Sequence, residues 1–570
     1  MKNNIDIQLE LAINTEEDAY SISDELYTGY MQEDDEWTLL IRYNDDIEDL
    51  KEKYLSVIYY LLAGYAIISV KQSLISGFAN DPRIIYIEKP NNIYLQTSFP
   101  MYKSCIYDNF YTEGGLSGRG VLISVIDSGI DFTHPEFMTD NRTRIYQIWD
   151  QTVDYSPENK NEYGLGRIYN SGDIDEAIAS GQNSQKLAAD NTGHGTEVTA
   201  IACGSQTGVA RDAGILVVKT GSDKLGPNPN TLGLILGIDY SIRTSIRTGM
   251  PVVINISFGN NYGSHEGNSL LENYIDDVSR LARCSIVTGT GNDGITGRSF
   301  QGMLGNVSHS YIDFLVSEYV TSFNIQIWKN YQDIFDLVLT GPNGENVLYV
   351  SETGRIASGS YYDTKADAIY GEPNPYNQSQ EIYINIYSSR YINSGIWRII
   401  LYPKRILDGK FHIYLPVASS TSGNVQFISP VEFGTLTIPS TAGNIISVAA
   451  YNAHTDDFAY FSGRGYTADN RIKPDLAAPG TDIYTAYPGG GYIFVSGTSF
   501  AAPFVSGACA MLMEWGLTDG NDIFMYGDKL KAALIRGARA LPVTNDYPNP
   551  YIGWGALCVR NTLAKLSGLW

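Results

Sequence analysis

Three short segments carry residue types that can do nucleophilic chemistry. In Val121-Leu122-Ile123-Ser124-Val125-Ile126-Asp127-Ser128-Gly129 an apolar run ends on a carboxylate, Asp127. Ligand sites in open α/β sheets gather at the carboxyl ends of buried strands, which is where Asp127 falls. In Asn191-Thr192-Gly193-His194-Gly195-Thr196 a histidine stands between glycines at the mouth of an apolar helical stretch. Glycine lets the backbone approach closely at such a point. In Ser496-Gly497-Thr498-Ser499-Phe500-Ala501-Ala502-Pro503 a hydroxyl opens a helix of small and apolar residues. A helix start offers unpaired N–H groups and partial positive charge, which stabilise a reacting oxyanion. Each segment alone also has a plain structural reading. An Asp after a strand is common, a lone His is more often structural, and a Ser at a helix start is often only an N-cap.

The elements that must position these residues are legible as patterns. Val121 to Ile126, Ile215 to Val218, Pro251 to Ile256 and the pair Ile286-Val287 are continuous apolar runs. Such runs suit parallel strands buried on both faces, and helical stretches such as Thr231 to Ile246 and Glu266 to Arg283 lie between them. This predicts an α/β domain with a doubly wound parallel sheet. Residues 310–430 change to short alternating runs, among them Phe323 to Trp328, Phe335 to Leu339, Glu381 to Tyr387, Ile396 to Leu401 and Lys410 to Leu415. Turn signals such as Gly341-Pro342-Asn343-Gly344 separate them, which predicts an inserted antiparallel β-sandwich, jelly-roll-like. Ahead of the main domain, residues 37–90 read as βαββαβ: strand Trp37–Tyr43, helix Asp46–Tyr54, two strands about Gly64, helix Gln72–Ala79 and strand Ile84–Glu88. Tyr54 to Val70 is slightly short for a membrane span and reads better as those two strands.

Composition narrows the function classes. Lys+Arg is 39 against 63 Asp+Glu, a formal net charge of −24. A negative field of that size repels nucleic-acid phosphates and anionic membranes, so neither is expected as a partner. The five cysteines are scattered and form no CxxC pair or Cys/His spacing. No zinc site, other metal site, cofactor or disulfide framework is expected. Residues 1–36 are polar and acidic and lack the basic region and apolar run of a secretory signal, so cytoplasmic synthesis is expected.

The order Asp…His…Ser, in the contexts Asp-Ser-Gly, Gly-His-Gly-Thr and Gly-Thr-Ser-x-Ala-x-Pro, resembles the subtilisin-like (S8) serine proteases. The resemblance covers roughly residues 120–308 and 430–570. It implies a serine endopeptidase with Asp127, His194 and Ser499 as its triad. It also implies Asn292, in Gly289-Thr290-Gly291-Asn292, as the oxyanion donor. Ser257, Phe258 and Gly259, with Gly289 and Gly291, would pair with substrate backbone. The chain departs from the family at Glu197, where a histidine is usual, and at Phe504, which follows Pro503 in place of histidine. Neither position belongs to the implied triad. The βαββαβ unit resembles a subtilisin propeptide, whose tail here is Ile93-Tyr94-Leu95-Gln96, and self-cleavage is expected at or near Gln96. The expected order is thus an acidic extension (1–36), a propeptide-like domain (37–96), the first part of the catalytic domain (97–309), the inserted sandwich (310–430) and the second catalytic part (431–570). This combination is similar to the clostridial Csp germination proteases. That similarity implies limited proteolysis of a protein precursor, a spore cortex-lytic enzyme, with the chain's own prodomain as a partner that can stay bound. It also leaves open a protease-like sensor or scaffold held inactive by that prodomain.

Overall fold

The alternation in strand Glu36–Tyr43 decides how the N-terminal unit is built. The computed structural model describes residues 4–15, 26–32, 34–91, 94–95, 115–155, 161–181, 187–222, 224–226, 228–305 and 307–568. Glu36–Tyr43 pairs antiparallel with Tyr30–Met31, Tyr65–Lys71 and Ile84–Glu88, and Leu55–Tyr60 pairs with Tyr65–Lys71. Successive side chains on a strand point to opposite faces. Trp37, Leu39 and Ile41, with Ala66, Ile68 and Val70, share a core with Leu9, Leu11 and Ala12 of helix Ile7–Asn14. Leu40, Tyr65 and Ile67, on the opposite face, join the core of the main domain instead. There Tyr65 meets Tyr274 edge-on at 5.2 Å, Arg42 pairs with Asp277 at 2.9 Å, and Leu62 N–H donates to Asp239 Oδ1 at 3.0 Å.

The sequence places residues 1–36 in an acidic extension, and the structure corrects this. Asp6 accepts hydrogen bonds from Gln8 N and Leu9 N and so caps helix Ile7–Asn14, while Leu9, Leu11 and Ala12 are fully buried. Ile5 bridges to Ile87 of strand Ile84–Glu88. Helix Ile7–Asn14 itself carries a single acid, Glu10, paired with Arg355 at 3.1 Å, and bulk composition registers the acids of the whole segment rather than this apolar helix.

In the main domain nine strands form one sheet, in the order Arg167–Asn170, Ile145–Asp150, Gly214–Lys219, Leu122–Asp127, Val252–Ile256, Cys284–Gly289, Ile446–Asn452 and Asp457–Phe458, with Leu476–Pro479 also beside Ile446–Asn452. The inner pairs are parallel. Helix Thr231–Thr248 packs on one face and helices His194–Cys203 and Thr498–Met513 on the other. Every residue of Leu122–Asp127 is consequently buried. Helix Thr498–Met513 is apolar and almost wholly enclosed, as a core helix must be.

The inserted domain is a sandwich of a six-stranded and a five-stranded sheet, with Phe314, Ile325, Leu337, Ile384, Trp397 and Ile413 between them. It begins earlier than residue 310. Strand Ser299–Met303 pairs antiparallel with Lys410–Tyr414 and belongs to the larger sheet. Its Gln301 and Gly302 break the apolar alternation that would have marked it.

The three units meet at a cavity of about 60 Å³ lined by Asp6 and Glu88 of the N-terminal unit, Glu381 of the sandwich, and Tyr262 and Ser269 of the main domain. Burial, then the charge of Asp6, push the Glu88 carboxyl up to about 8. The charge of Lys89 opposes the rise and that of Glu272 adds to it. The folded chain therefore keeps a proton on Glu88 over a range in which the unfolded chain, titrating near 4.5, has lost it. The associated stabilisation is complete below the unfolded value and is lost as pH climbs through the folded one. The Tm of the full chain should fall between about pH 5 and about pH 8.5, and Glu88→Gln should flatten that fall. Parallel Tm curves for the two proteins would show that Glu88 does not titrate in this way.

Candidate active site

Asp127 ends a fully buried strand and is itself 0% exposed, and its Oδ1 accepts from Ser128 N at 2.7 Å and from His194 Nδ1 at 2.8 Å. A carboxylate on Nδ1 fixes which ring nitrogen carries the hydrogen and leaves Nε2 as the basic atom. His194 is the first residue of helix His194–Cys203, after Gly193 at φ 86°. The next residue must also be glycine, because a Cβ on Gly195 would sit 2.2 Å from Gly129 O. Burial lowers the affinity of the His194 ring for a proton. The charges of Asp127, Glu197 and Asp190 outweigh it, so the imidazole titrates above its ordinary value. His194 Nε2 is buried with no hydrogen-bond partner among the described residues, and the Phe500 ring lies against the imidazole at 5.3 Å.

Asp190, which the sequence reading passed over, holds the start of the histidine helix in place. Its carboxylate accepts from Gly193 N at 3.0 Å, from Thr196 N at 2.8 Å and from Ser128 Oγ at 2.8 Å. Ser128 Oγ accepts in turn from Gly195 N at 3.1 Å. The histidine helix is thereby tied to the end of the aspartate strand, and the Asp127–His194 distance follows from it. The available signal was an Asp just ahead of a helix start, where carboxylates satisfy free N–H groups.

Ser499 lies in the first turn of Thr498–Met513, and its Oγ donates to Ser257 O at 3.5 Å while Ser257 Oγ donates to Ser499 O at 3.3 Å. Ser499 and the segment read from sequence as substrate-binding are thus in direct contact. Gly289 closes against the same turn, for a Cβ there would sit 2.8 Å from the Thr498 carbonyl. Gly291, at φ 93°, donates its N–H to Thr498 Oγ1 at 3.1 Å. Thr498 N donates to Asn292 Oδ1 at 3.0 Å. That donor dictates which way the amide faces, and Asn292 Nδ2 is left buried without a partner among the described residues. An unmatched N–H beside a helix start is what a developing oxyanion needs.

Phe258–Gly259 does not stand alone. Strand Tyr94–Leu95 pairs with it antiparallel, Phe258 opposite Leu95 and Gly259 opposite Tyr94. The tail of the N-terminal unit therefore lies on the segment read from sequence as substrate-binding. Gln96, the expected cleavage point, lies outside the described residues. Ser499 and Asp127 are 0% exposed and His194 is 1% exposed. Glu197, the departure noted above, sits one turn after His194, and burial pushes its carboxyl up to about 7.

Comparison with known proteins bears on this arrangement. The model of the Subtilase family matches residues 118–381 and 396–555. The model of the Csp protease B prodomain matches residues 3–91. The solved structure of the Clostridium perfringens CspB protease superposes with TM-score 0.74 at 31% identity, over 82% of this chain and 97% of that one. The chain is a Csp-type member of the subtilase family. Curated relatives of this Csp-type subtilase include the PIII-type proteinase of Lactococcus lactis, 22% identical over 521 residues, covering 81% of this chain and 26% of the relative. The subtilisin-like protease SBT2.1 of Arabidopsis thaliana is 22% identical over 562 residues, covering 81% of this chain and 64% of the relative. The Csp-type subtilase thus spans less than two thirds of the length of these relatives. Its prodomain match starts at residue 3, in line with the packing of helix Ile7–Asn14 into the N-terminal unit.

Proposed function

We propose that this chain is a serine endopeptidase that cleaves its own prodomain and then acts by limited proteolysis on a protein precursor. The observation that carries the reading is the tail strand Tyr94–Leu95 laid on Phe258–Gly259, beside the paired Asp127 and His194 and the unmatched Asn292 donor. Ser499 Oγ attacks a peptide carbonyl while His194 Nε2 takes its proton. Asp127 holds the ring tautomer and stabilises the imidazolium. The carbonyl oxygen, now negative, is held by Asn292 Nδ2 and the Ser499 N–H. His194 then gives its proton to the leaving amine, and water releases the acyl group from Ser499. The likeness to the CspB protease supports a cortex-lytic enzyme precursor as the substrate and the spore as the place of work. A second reading has its own support in the tail strand laid on Phe258–Gly259 and in the burial of Ser499: a sensor or scaffold held inactive by its prodomain.

Intact-mass analysis of freshly purified wild type beside Ser499→Ala tests the reading. Wild type should separate into two polypeptides with a break at or near Gln96, and Ser499→Ala should remain whole. If both remain whole, self-processing is refuted and the sensor reading takes its place.

A further inference from the structure

Glu197 is enclosed near the triad, yet its carboxyl is bonded to nothing. It stands three residues after His194 on helix His194–Cys203, a spacing that puts two side chains on the same side of a helix. It is 7% exposed, and its carboxyl makes no hydrogen bond or ion pair with any described residue. Its Oε1 lies back toward the helix start, 3.3 Å from the point where a Cβ on Gly193 would stand, with Tyr487 Cε2 and Pro488 Cδ at the same distance from that point. Thr485 Oγ1 donates to the Glu197 carbonyl at 2.7 Å and so fastens strand Ile483–Tyr487 to this turn. A carboxyl in the first turn of a helix ordinarily serves the free N–H groups there. Here those groups are taken. Asp190 accepts from Gly193 N and Thr196 N, Thr192 Oγ1 accepts from His194 N at 3.3 Å, and Ser128 Oγ accepts from Gly195 N. A buried carboxyl without a partner costs stability, and capping does not explain its presence.

The charges around it supply a reason. Among those acting on the Glu197 carboxyl, His194 alone favours its ionised form, and Asp190 and Asp127 oppose it. In return, Glu197 follows Asp127 and precedes Asp190 among the charges that favour the protonated imidazole. The other elements packed on this helix bring no further charge to bear. Strands Ile483–Tyr487 and Gly491–Val495 contain tyrosines but no charged residue, and helix Thr498–Met513 contains none. Beside the turn Pro135–Phe137, Glu136 and His134 are engaged elsewhere, with Gln206 N at 2.8 Å and Gly491 O at 3.0 Å. We propose that Glu197 is a positioning residue of the triad: its carboxylate is a second negative charge that steadies the imidazolium formed on His194 when Ser499 attacks. This rests on the endopeptidase reading above and adds a residue to it. Asp127 holds the ring by contact, whereas Glu197 acts through space, in surroundings where water screens a charge poorly. The proton still passes from Ser499 Oγ to Nε2 and on to the leaving amine, and Glu197 neither gives nor takes it. Histidine, usual at this position, could not supply a negative charge. The same charge keeps a proton on the resting imidazole in mild acid, so the free base appears only as pH rises.

The test follows kcat/KM against pH for the full chain on a fluorogenic peptide ending in Tyr-Leu-Gln before the reporter. The acid limb of such a profile reports the essential base of the free enzyme. Glu197→Gln keeps the size of the side chain and removes its charge. Its acid limb should move to lower pH by about one unit, the effect of one nearby charge. Its plateau should fall about tenfold with KM unchanged, because the same interaction is lost from the transition state. Glu197→Asp retains a charge and should keep the limb near that of wild type. A limb that stays in place in Glu197→Gln overturns the proposal, since a loss of packing alone would lower activity equally at every pH. If wild type cleaves no peptide, the endopeptidase reading has failed, and a second measurement decides the inference without catalysis. In a Ser499→Ala background the His194 ring is titrated by NMR. Glu197→Gln should lower its midpoint by about one unit. A midpoint equal to that of the Ser499→Ala parent overturns the proposal on its own.

Discussion

Ser499→Ala, His194→Ala and the double variant should all lose the same amount of peptide turnover, about a million-fold, which is the size of loss when the matching groups are removed from subtilisin itself. The geometry explains why the losses should not add. The serine hydroxyl is a weak nucleophile until a base takes its proton, and His194 Nε2 is the atom left basic by the Asp127 contact at 2.8 Å. Without the base the hydroxyl stays protonated, and without the hydroxyl the base has nothing to activate. Asp127→Asn should cost less, about ten-thousand-fold, because the ring is still present but its hydrogen is no longer held on Nδ1. The measurement is kcat/KM on a Tyr-Leu-Gln reporter peptide for the singles and the double. A double variant much slower than either single would mean that Ser499 and His194 act independently, and the proposed mechanism would fall.

How much of this could be read from the sequence depends on what each element needs. Leu122–Asp127 and Val252–Ile256 were legible because strands covered on both faces are apolar throughout. Helix Thr231–Thr248 was legible from its period. The helix expected over Glu266–Arg283 is shorter, Leu270–Val278, because Ser269 and Glu272 form a capping box that starts it there. That box was present in the sequence as Ser-x-x-Glu and should have set the boundary. Helix Ile7–Asn14 was missed because the acids elsewhere in residues 1–36 dominate the composition of the segment and hid one short apolar helix. The strand Tyr94–Leu95 was foreseeable only through the family resemblance, since two residues have no pattern of their own and exist as a strand through their partner.

At the site itself, glycines and short polar residues announced close approach but not who approaches whom. Asp190 and Ser128 meet across 62 residues of chain, and no local pattern reports such a bond. The same holds for Asp293 and Ala418, 125 residues apart, which join the turn that carries Asn292 to the inserted domain. Residue types singled out the candidate reacting groups, because chemistry limits which side chains can serve. The groups that hold them in place were hidden, because any hydrogen-bonding residue at the right point in space will do.

Asn292→Ala should lower kcat by about 100- to 1,000-fold with little change in KM; subtilisin is the source of that magnitude, so it is borrowed from the family. The reasoning begins at Thr498. Its N–H points at Asn292 Oδ1 at 3.0 Å, and an N–H can be met only by the oxygen of the amide. The other end, Nδ2, is therefore turned away from Thr498 and finds no partner among the described residues. A buried donor without an acceptor costs free energy in the resting protein. That cost is recovered when an oxyanion forms within reach, so the hydrogen bond strengthens along the reaction and shows itself in kcat. A donor that gripped the ground-state carbonyl equally well would appear in KM instead. Asn292→Asp adds a sharper contrast. It keeps the size of the side chain but replaces the donor with negative charge, so its kcat should fall at least as far as that of the alanine variant. If either variant raises KM and keeps kcat, Asn292 holds substrate and not the transition state, and the oxyanion must be stabilised by other groups near the Ser499 N–H.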